Sequence, residues 1–365
     1  MTLSTLTRRA VVFGPAAALL LRRPVHSAPT PSLAITDVTV IDARGETERG
    51  RTVLISGDRI ATAGDCASVP IPAGVQILPG SGRFLIPGLW DMHVHLCIAG
   101  ASALPVLLAN GVTGVRDMGG RLAEVDQWRN LIAEGVMAGP RIFRAGPIVN
   151  GKVSDPLQIA VESRAEGHGA VSALRTAGVD FVKVHSAVSR DAYMGISEEC
   201  ARGGTRFAGH IPRAIHPREA ADAGQSSFEH LYTLFDGVLT NGVEESQLPQ
   251  RIRRFRESGA EELFAGFARK GSAYTPTIVA EHASLSLQRP QSSELEKYCS
   301  RLAKEATRQL QEKYGALITG EYVSRGKRQL EEKLPLIRMM RQAGIELLTG
   351  TDLGPSLFVP GFSLH

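Results

Sequence analysis

The sequence predicts an α/β protein in which a (β/α)8 barrel of TIM type follows a small all-β module. From about residue 86 onward, short apolar segments alternate with helix-like segments, and this alternation is typical of a parallel sheet. Eight apolar segments of this kind can be counted, and eight such units at this length predict a barrel. Several of them end in histidine, lysine or aspartate, the positions at which barrel enzymes carry their functional side chains.

The predicted β module covers residues 29–85. Its apolar segments are short and partly alternate between apolar and polar residues, as half-buried strands do. Gly57-Asp58 lies between two of these segments and is a hairpin signal. The barrel then covers residues 86–365, and a charged helical insertion is expected over about 288–343, since this stretch is longer than one crossover needs.

Residues 1–28 have the pattern of an export signal. Arg8-Arg9 precedes the apolar segment Ala10–Leu21, and Ser27-Ala28 follows it. The paired arginines resemble a twin-arginine signal, which predicts a periplasmic or secreted protein. The alternative is a disordered basic leader on a cytoplasmic protein. The apolar segment is too short to span a bilayer, so no stable membrane insertion is expected.

Composition limits the classes of function. The chain has 365 residues, of which 43% are hydrophobic and 21% charged, so it is long enough to bury a sizeable core. Its net charge is +4, and the basic residues are dispersed or lie in helix-like segments such as Arg251–Arg256. Nucleic acid is therefore not indicated as a partner. The four cysteines have no spacing typical of metal ligands or of a disulfide framework.

The segment Phe84–Leu96 carries the strongest chemical signal. His93 and His95 are two residues apart on a predicted strand, so their side chains point to the same face and can bind one metal ion. Other predicted strands end in Lys183, His210, His230 and Asp352. Each of these residues alone is more often structural. Together, at the ends of successive strands, they predict a metal site.

These segments resemble the amidohydrolase superfamily, specifically its branch of imidazolonepropionases and Xaa-Pro dipeptidases (prolidase-like). The resemblance rests on seven motifs across residues 33–365, which are FLIPGLWDMHVHL, GVTGVRDMGG, VDFVKVH, FAGHIP, SSFEHLY, PTIV and LLTGTDLG. Members of this branch continue beyond the motif that ends here at His365. We therefore expect the last barrel helix to be missing, together with the C-terminal strands that would complete the N-terminal module as a β-sandwich.

The resemblance implies a site for two divalent metal ions, with zinc the ion best suited to imidazole and oxygen ligands. His93 and His95 would bind the first ion, with Asp352 as a further ligand. His210 and His230 would bind the second ion. Lys183 would bridge both ions as a carbamate formed with CO2.

The implied reaction is hydrolysis of an amide bond in a dipeptide or an N-acyl amino acid. A hydroxide that bridges the metal ions would attack the carbonyl, and Asp352 would carry the proton to the leaving nitrogen. Such substrates carry a carboxylate that needs a polar contact. The candidates for that contact are Tyr232, His185 and Arg116. The sequence is also compatible with a homo-oligomer.

Two alternatives remain open. The first is a ring-opening hydrolase of a small cyclic amide, which would favour a mononuclear site. Lys183 and its implied carbamate argue against it. The second is an inactive, truncated paralogue that only binds a small ligand. The early C-terminus favours this second alternative, and the intact set of predicted ligands disfavours it.

Overall fold

The structure, a computed structural model, describes residues 31–152, 155–285, 301–354 and 358–365. The predicted export segment 1–28 and residues 288–300 of the predicted insertion lie outside these described residues. Two compact units are present, with the boundary between Pro87 and Gly88. Among the described residues, no helix combines the length and the apolar character needed to cross a bilayer.

The first unit contains a five-stranded sheet. The sheet order is β3-β2-β1-β4, and β5 pairs with β1. The first three strands are antiparallel, as the hairpin signal predicts, while β4 and β5 run parallel to β1. The strands are β1 Leu33–Ile41, β2 Thr47–Ser56, β3 Arg59–Asp65, β4 Gln76–Pro79 and β5 Phe84–Leu85. The sandwich form of this module stays a prediction.

The second unit alternates strands and helices, and each strand pair within its two sheets is parallel. One sheet has the order β6-β7-β8 and the other the order β10-β9-β11-β12-β13-β14. The strands are β6 Leu89–Val94, β7 Val112–Asp117, β8 Arg141–Arg144, β9 Ile148–Asn150, β10 Gln158–Ala160, β11 Val182–Val184, β12 Phe207–Gly209, β13 Ser227–Glu229 and β14 Ala273–Thr275.

The predicted eighth strand, residues 345–352, is reduced to isolated bridges. Leu347 pairs with Tyr274 of β14, and Leu353 pairs with Val94 of β6, both in the parallel sense. Between the two bridges Asp352 has a φ of +60°. This left-handed conformation breaks the alternation of an extended strand, so the sequence pattern overstated the regularity of this segment.

The helices follow the strands as the alternation predicts. Serine caps begin two of them: Ser163 accepts a hydrogen bond from the Glu166 amide, and Ser189 accepts one from the Ala192 amide. The helices are α1 Leu96–Ala99, α2 Ala103–Ala109, α3 Leu122–Ala133, α4 Arg164–Thr176, α5 Arg190–Gly203, α6 Pro217–Asp222, α7 Leu248–Ser258, α8 Ala260–Lys270 and α9 Ile278–Ser284, then Arg301–Tyr314 and Gly320–Gln342.

The core of the second unit lies between the strands and these helices. A large cluster of buried apolar side chains joins β11, β12 and β13 to α4, α5, α7 and α8. A second cluster packs β6 and β7 against α2 and α3. Both clusters pack on the face of the strands that is covered by helices. The polar side chains at the strand ends can therefore face one another on the other side of the strands.

Candidate metal centre

Three predicted ligands meet around one carboxylate. The Nε2 atoms of His93 and His95 each lie 3.4 Å from Oδ1 of Asp352. Ligand atoms of His93, His230 and Asp352 all lie within 4.8 Å of one another. The resemblance assigns His93 and His230 to different ions, and in the structure a ligand atom of each lies within 4.8 Å of the Asp352 carboxylate.

The other two predicted ligands lie beside this group. The His210 ring is centred 4.7 Å from the His230 ring. Lys183 is 1% exposed, and its aliphatic stem runs past Gly209 on the neighbouring strand. A side chain at position 209 would place its Cβ 2.9 Å from the Lys183 Cδ atom. Glycine at this position therefore leaves room for the buried lysine.

The Nδ1 atom of each of the four imidazoles has a protein partner. The distances are 2.9 Å from His93 to Glu229 Oε2, 3.3 Å from His95 to the Gly119 carbonyl, 2.7 Å from His210 to Ser186 Oγ and 2.7 Å from His230 to Thr277 Oγ1. An ionised carboxylate and a carbonyl only accept hydrogen bonds, so Nδ1 of His93 and of His95 donates. Their Nε2 atoms then carry free lone pairs, as metal ligands require.

The geometry of His93 fits a metal ligand most closely. Its Nε2 atom is buried and has no hydrogen-bond partner among the described residues. A buried polar atom without a partner is unfavourable unless something else satisfies it. Imidazole nitrogens and a carboxylate oxygen form a donor set that suits a divalent ion such as zinc. The residues present therefore fit a bound metal.

Glu229 supports the candidate metal centre through its contact with His93. Its side chain is completely buried, and its Oε1 atom accepts a hydrogen bond of 2.6 Å from Nη2 of Arg116. Ser227 donates a further hydrogen bond to the same carboxylate. The Arg116 guanidinium also donates to the Met92 carbonyl and to Thr275 Oγ1. The arginine thus supports the carboxylate that orients His93.

Backbone strain is concentrated at this site. Among the described residues four that are not glycine have a positive φ, and three of the four belong here, His230 at +64°, Thr277 at +47° and Asp352 at +60°. Such conformations are costly for residues with a Cβ, and they persist where the surrounding structure enforces them. In a regular strand, consecutive residues such as Glu229 and His230 would point to opposite faces. The positive φ of His230 instead lets both side chains contact His93.

Comparison with known proteins gives one short sequence match and broad structural similarity. No family model matches the chain. An adenine deaminase from Mesorhizobium japonicum is 40% identical over 52 residues, which is 14% of this chain and 9% of that protein. The chain therefore matches only a small part of the length of this curated relative.

Solved structures match over most of the chain. Bottromycin amidohydrolase is 22% identical, with a TM-score of 0.65 over 92% of this chain and 71% of that chain. A Xaa-Pro dipeptidase with bound methionine is 18% identical, with a TM-score of 0.62 over 90% of this chain and 80% of that chain. The chain has the fold of the prolidase-like amidohydrolases. The resemblance seen in the sequence motifs is thus confirmed at the level of the fold.

Burial controls the charge of the basic groups in this prolidase-like fold. Burial, assisted by the nearby Lys183 amine, lowers the pKa of His93 to about 4. Burial also lowers the pKa of Lys183 to about 8, although Glu229 and Asp352 oppose the shift. Imidazoles that stay neutral at pH 7 can act as ligands. An amine with a lowered pKa has more of the neutral form that reacts with CO2.

Two carboxylates show how burial and charge compete. Burial disfavours the charged form of Glu229, but Arg116 and His93 outweigh it and hold the pKa below the usual range. Asp352 follows the same pattern, since the facing imidazoles of His93 and His95 overcome the effect of burial and lower its pKa. Both carboxylates are therefore ionised at neutral pH.

The three predicted substrate contacts have different surroundings. Tyr232 is 38% exposed, and its ring stacks on His230 with centroids 5.2 Å apart. The His185 ring packs 3.9 Å from His210. Arg116 is 8% exposed and directs its guanidinium at Glu229 and neighbouring acceptors. In the structure the Arg116 guanidinium thus supports Glu229, and the contact of Tyr232, His185 and Arg116 with a substrate stays a prediction.

Sequence reasoning missed the partners of the imidazoles. Glu229 is the most important of them, and its signal was an acidic residue within an otherwise buried strand, next to a predicted ligand. Ser186 and Thr277 gave no comparable signal, because hydroxyl residues are common at strand ends. Their role depends on which imidazole the fold places beside them.

Proposed function

We propose that the chain is a metal-dependent hydrolase of amide bonds whose site lies on a (β/α)8 barrel. The parallel strand pairs and the solved structures with the same fold support the barrel. The observation that carries the proposal is the buried Nε2 atom of His93, without a partner among the described residues and 3.4 Å from Asp352. Imidazole and carboxylate ligands held in this way suit a hydrolytic metal ion.

The full ligand set in this proposal comprises His93, His95, His210, His230, Asp352 and a carbamate of Lys183, which together would hold two divalent ions, in the first instance zinc. When bound, the ions supply a nucleophile from water at neutral pH and polarise the scissile carbonyl. Carbamate formation joins the neutral Lys183 nitrogen to CO2 and releases a proton. The product is an anionic oxygen ligand, in contrast to the ammonium, which has no lone pair to offer.

The chain's own side chains would orient the ligands, transfer a proton and contact the substrate. Glu229 and Arg116 hold His93 in one orientation and one tautomer. Asp352 is ionised and lies among the ligands, so it can accept a proton from the attacking water and deliver it to the leaving nitrogen. Tyr232 stacks on His230 and keeps part of its ring exposed, so it remains our candidate to contact the substrate.

The proposed substrates are dipeptides and N-acyl amino acids. Two solved proteins with this fold are a Xaa-Pro dipeptidase and a bottromycin amidohydrolase, and both names refer to hydrolysis of an amide or peptide bond. A mononuclear ring-opening hydrolase of a cyclic amide is the second candidate. It is favoured by the grouping of His93, His230 and Asp352, whose ligand atoms lie within 4.8 Å of one another and could bind one ion.

Metal analysis distinguishes these possibilities. The purified chain and its Lys183→Ala variant would be depleted of CO2, loaded with Zn²⁺ with and without bicarbonate, and analysed for bound metal. The binuclear proposal predicts about two ions per chain, fewer without bicarbonate and far fewer in the variant. One ion that is insensitive to bicarbonate would favour the ring-opening candidate. Absence of bound metal from folded protein would contradict both and leave the ligand-binding paralogue.

A further inference from the structure

A large cavity lies at the opposite end of the strands from the candidate metal centre. It has a volume of about 1080 Å³. Its lining comes largely from the beginnings of the strands, for example Trp90 in β6, Phe181 just before β11 and Ser226 just before β13. The predicted metal ligands follow further along these strands or directly after them. The cavity is therefore separate from the site proposed for hydrolysis.

Three small side chains leave this space open. Ala208, Ser227 and Ala273 line the cavity and lie side by side in register on β12, β13 and β14. In (β/α)8 barrels, bulky branched side chains normally fill the interior between the strands. The small residues at these three positions instead leave enough volume for a small-molecule ligand.

The Arg116 guanidinium lies at the inner end of the cavity, and this residue is 8% exposed. It reaches from β7 to the far strands, where it donates hydrogen bonds to Ser227 Oγ, Glu229 Oε1 and Thr275 Oγ1. Its Nε atom donates to the Met92 carbonyl. Because a guanidinium has five N–H groups, one N–H of Nη1 has no acceptor among the residues that the structure describes.

The charges around the cavity are balanced. The Arg116 charge is paired with the Glu229 carboxylate at 2.6 Å. A carboxylate ligand beside Arg116 would therefore be repelled by Glu229, and a cationic ligand would be repelled by Arg116 itself. The remaining charged residues of the lining are two basic and two acidic exposed residues, namely Arg206, Lys270, Asp180 and Glu346. This balance favours a neutral ligand that accepts one hydrogen bond.

Aromatic rings form much of the wall. Phe181 is 7% exposed, and the Arg116 Cζ atom lies 5.6 Å from the centroid of its ring. The rings of Trp90 and Phe143 have centroids 5.6 Å apart, and Phe143 is 40% exposed, so this pair lies nearer the mouth. Aromatic rings pack on one another in offset-stacked or edge-to-face arrangements, which a flat ligand can continue. The wall therefore favours a flat, apolar body.

We propose that this cavity binds a flat, neutral aromatic molecule whose carbonyl oxygen accepts the free N–H of Arg116. The aromatic body would pack against Phe181, Trp90 and Phe143, and the oxygen would point to the inner end of the cavity. The contacts of this site need no metal ion, so the inference goes beyond the proposed hydrolysis and does not depend on it.

Three flat probes of nearly equal size test the chemistry of the cavity. 2-Acetylnaphthalene is neutral and carries a carbonyl oxygen, 2-isopropenylnaphthalene has a CH2 group in place of this oxygen, and 2-naphthoate is an anion. Equilibrium dialysis against the chelator-treated chain would measure the affinity for each probe. Removal of metal prevents 2-naphthoate from binding to an ion at the metal centre. We expect 2-acetylnaphthalene to bind about 10-fold more tightly than either of the other probes.

Two leucine substitutions locate the binding site. Ala273→Leu adds a bulky side chain to the cavity wall, and we expect it to weaken binding of 2-acetylnaphthalene by about 10-fold or more. Ala133→Leu is the matched control, because Ala133 is exposed at the end of α3, away from the cavity lining, and this variant should keep the affinity. Urea unfolding would check both variants, and Ala208→Val replaces Ala273→Leu if the latter does not fold.

A third variant tests the hydrogen bond itself. Arg116→Met combined with Glu229→Gln removes the guanidinium donor without leaving a buried carboxylate unpaired. We expect this double variant to bind 2-acetylnaphthalene and 2-isopropenylnaphthalene with equal affinity. A preference for the ketone that survives in the double variant would overturn the role of Arg116.

The dialysis results decide the proposal. Saturable binding of 2-acetylnaphthalene that is weakened by Ala273→Leu and kept in Ala133→Leu would support it. Absence of saturable binding, tighter binding of 2-naphthoate, equal binding of ketone and alkene by the unmodified chain, or binding that is unaffected by Ala273→Leu would each overturn it. Since no hydrolysis is measured, failure of this inference leaves the proposed function untouched.

Discussion

The Glu229 carboxylate lies 2.9 Å from Nδ1 of His93, and both side chains are fully buried. The same carboxylate accepts a hydrogen bond from Arg116, whose charge compensates its own. This arrangement fixes which ring nitrogen of His93 carries the proton and directs the other nitrogen towards Asp352. A network of three side chains from three strands, β6, β7 and β13, thus sets the orientation of one ligand.

Replacing Glu229 by glutamine should weaken metal binding. Glutamine keeps the size of the side chain but loses the charge that raises the basicity of the His93 ring, so we expect affinity for Zn²⁺ to fall by about 10- to 100-fold. Competition against a chromophoric chelator would measure this loss. Glu199→Gln is the matched control, because Glu199 contacts a different histidine, His168, at 3.3 Å outside the site. Equal affinity in both variants would remove the positioning role of Glu229.

Replacing Arg116 by methionine should destabilise the fold. The change leaves Glu229 as a buried carboxylate without its counter-charge, and breaking such a pair costs about 3–5 kcal/mol. Urea unfolding of the metal-free chain would measure the loss. The double variant with Glu229→Gln should recover much of it, since no uncompensated charge remains. If Arg116 contacts the substrate instead, Arg116→Met would raise KM and leave the unfolding midpoint unchanged.

The sequence was informative where function depends on position along a strand. His93 and His95 share a face because of strand alternation, and the structure places both beside Asp352. Lys183 and His210 lie in β11 and at the end of β12, as the apolar segments before them predicted. These features follow from local periodicity and from the order of the strands, which a single sequence records.

Features that depend on pairs of residues far apart in the chain could not be predicted. Glu229 and Arg116 are 113 residues apart and touch only because β7 and β13 face each other. The left-handed backbone of His230 is likewise set by its surroundings, since alternation would send consecutive side chains to opposite faces. Thr277 reaches the His230 ring for the same reason.

The metal-free chain should lose stability as the pH falls below about 6.5. Burial lowers the pKa of His93 to about 4 and that of His185 to about 3, and it lowers the pKa values of His210 and His230 well below the usual range. In the unfolded chain these imidazoles bind protons below about pH 6.5, whereas in the folded chain they do not. Unfolding therefore takes up protons in this range, and the free energy of unfolding decreases as the solution is acidified.

Two buried acids oppose this trend. Burial raises the pKa of Asp91 to about 6, and it raises that of Asp117 to about 6. Between about pH 4 and 6 the folded state holds these two protons and the unfolded state releases them, which stabilises the fold on acidification. Four imidazoles outweigh two carboxyls, so unfolding still takes up protons on balance, and each net proton changes the free energy of unfolding by about 1.4 kcal/mol per pH unit.

Urea unfolding of chelator-treated protein at pH 7, 6 and 5 would measure this dependence of stability on pH. A flat or reversed slope would show that the imidazoles remain protonated in the fold.

Gly209→Ala should disturb the Lys183 position. Gly209 has a φ of +136°, and a Cβ there would lie 2.1 Å from the Val184 carbonyl oxygen and 2.9 Å from the Lys183 side chain. The variant must therefore shift β11 away from β12, and overpacking of this kind typically costs about 1–3 kcal/mol in addition to backbone strain. Because the shift moves Lys183 itself, we expect zinc content to fall together with stability.

Gly204→Ala provides the matched control for this prediction. Gly204 also has a positive φ, +63°, at the end of α5, but no atom lies within 4 Å of a Cβ built there. Its substitution should cost only about 1–2 kcal/mol through backbone strain and leave zinc content unchanged. Urea unfolding would measure the stability loss in both variants, and metal analysis would measure their zinc content. A loss of zinc in Gly209→Ala alone would be due to displacement of Lys183, because both variants share the backbone strain. Equal zinc content in both variants would contradict this prediction. The close packing between β11 and β12 would then matter for stability and not for metal binding by Lys183.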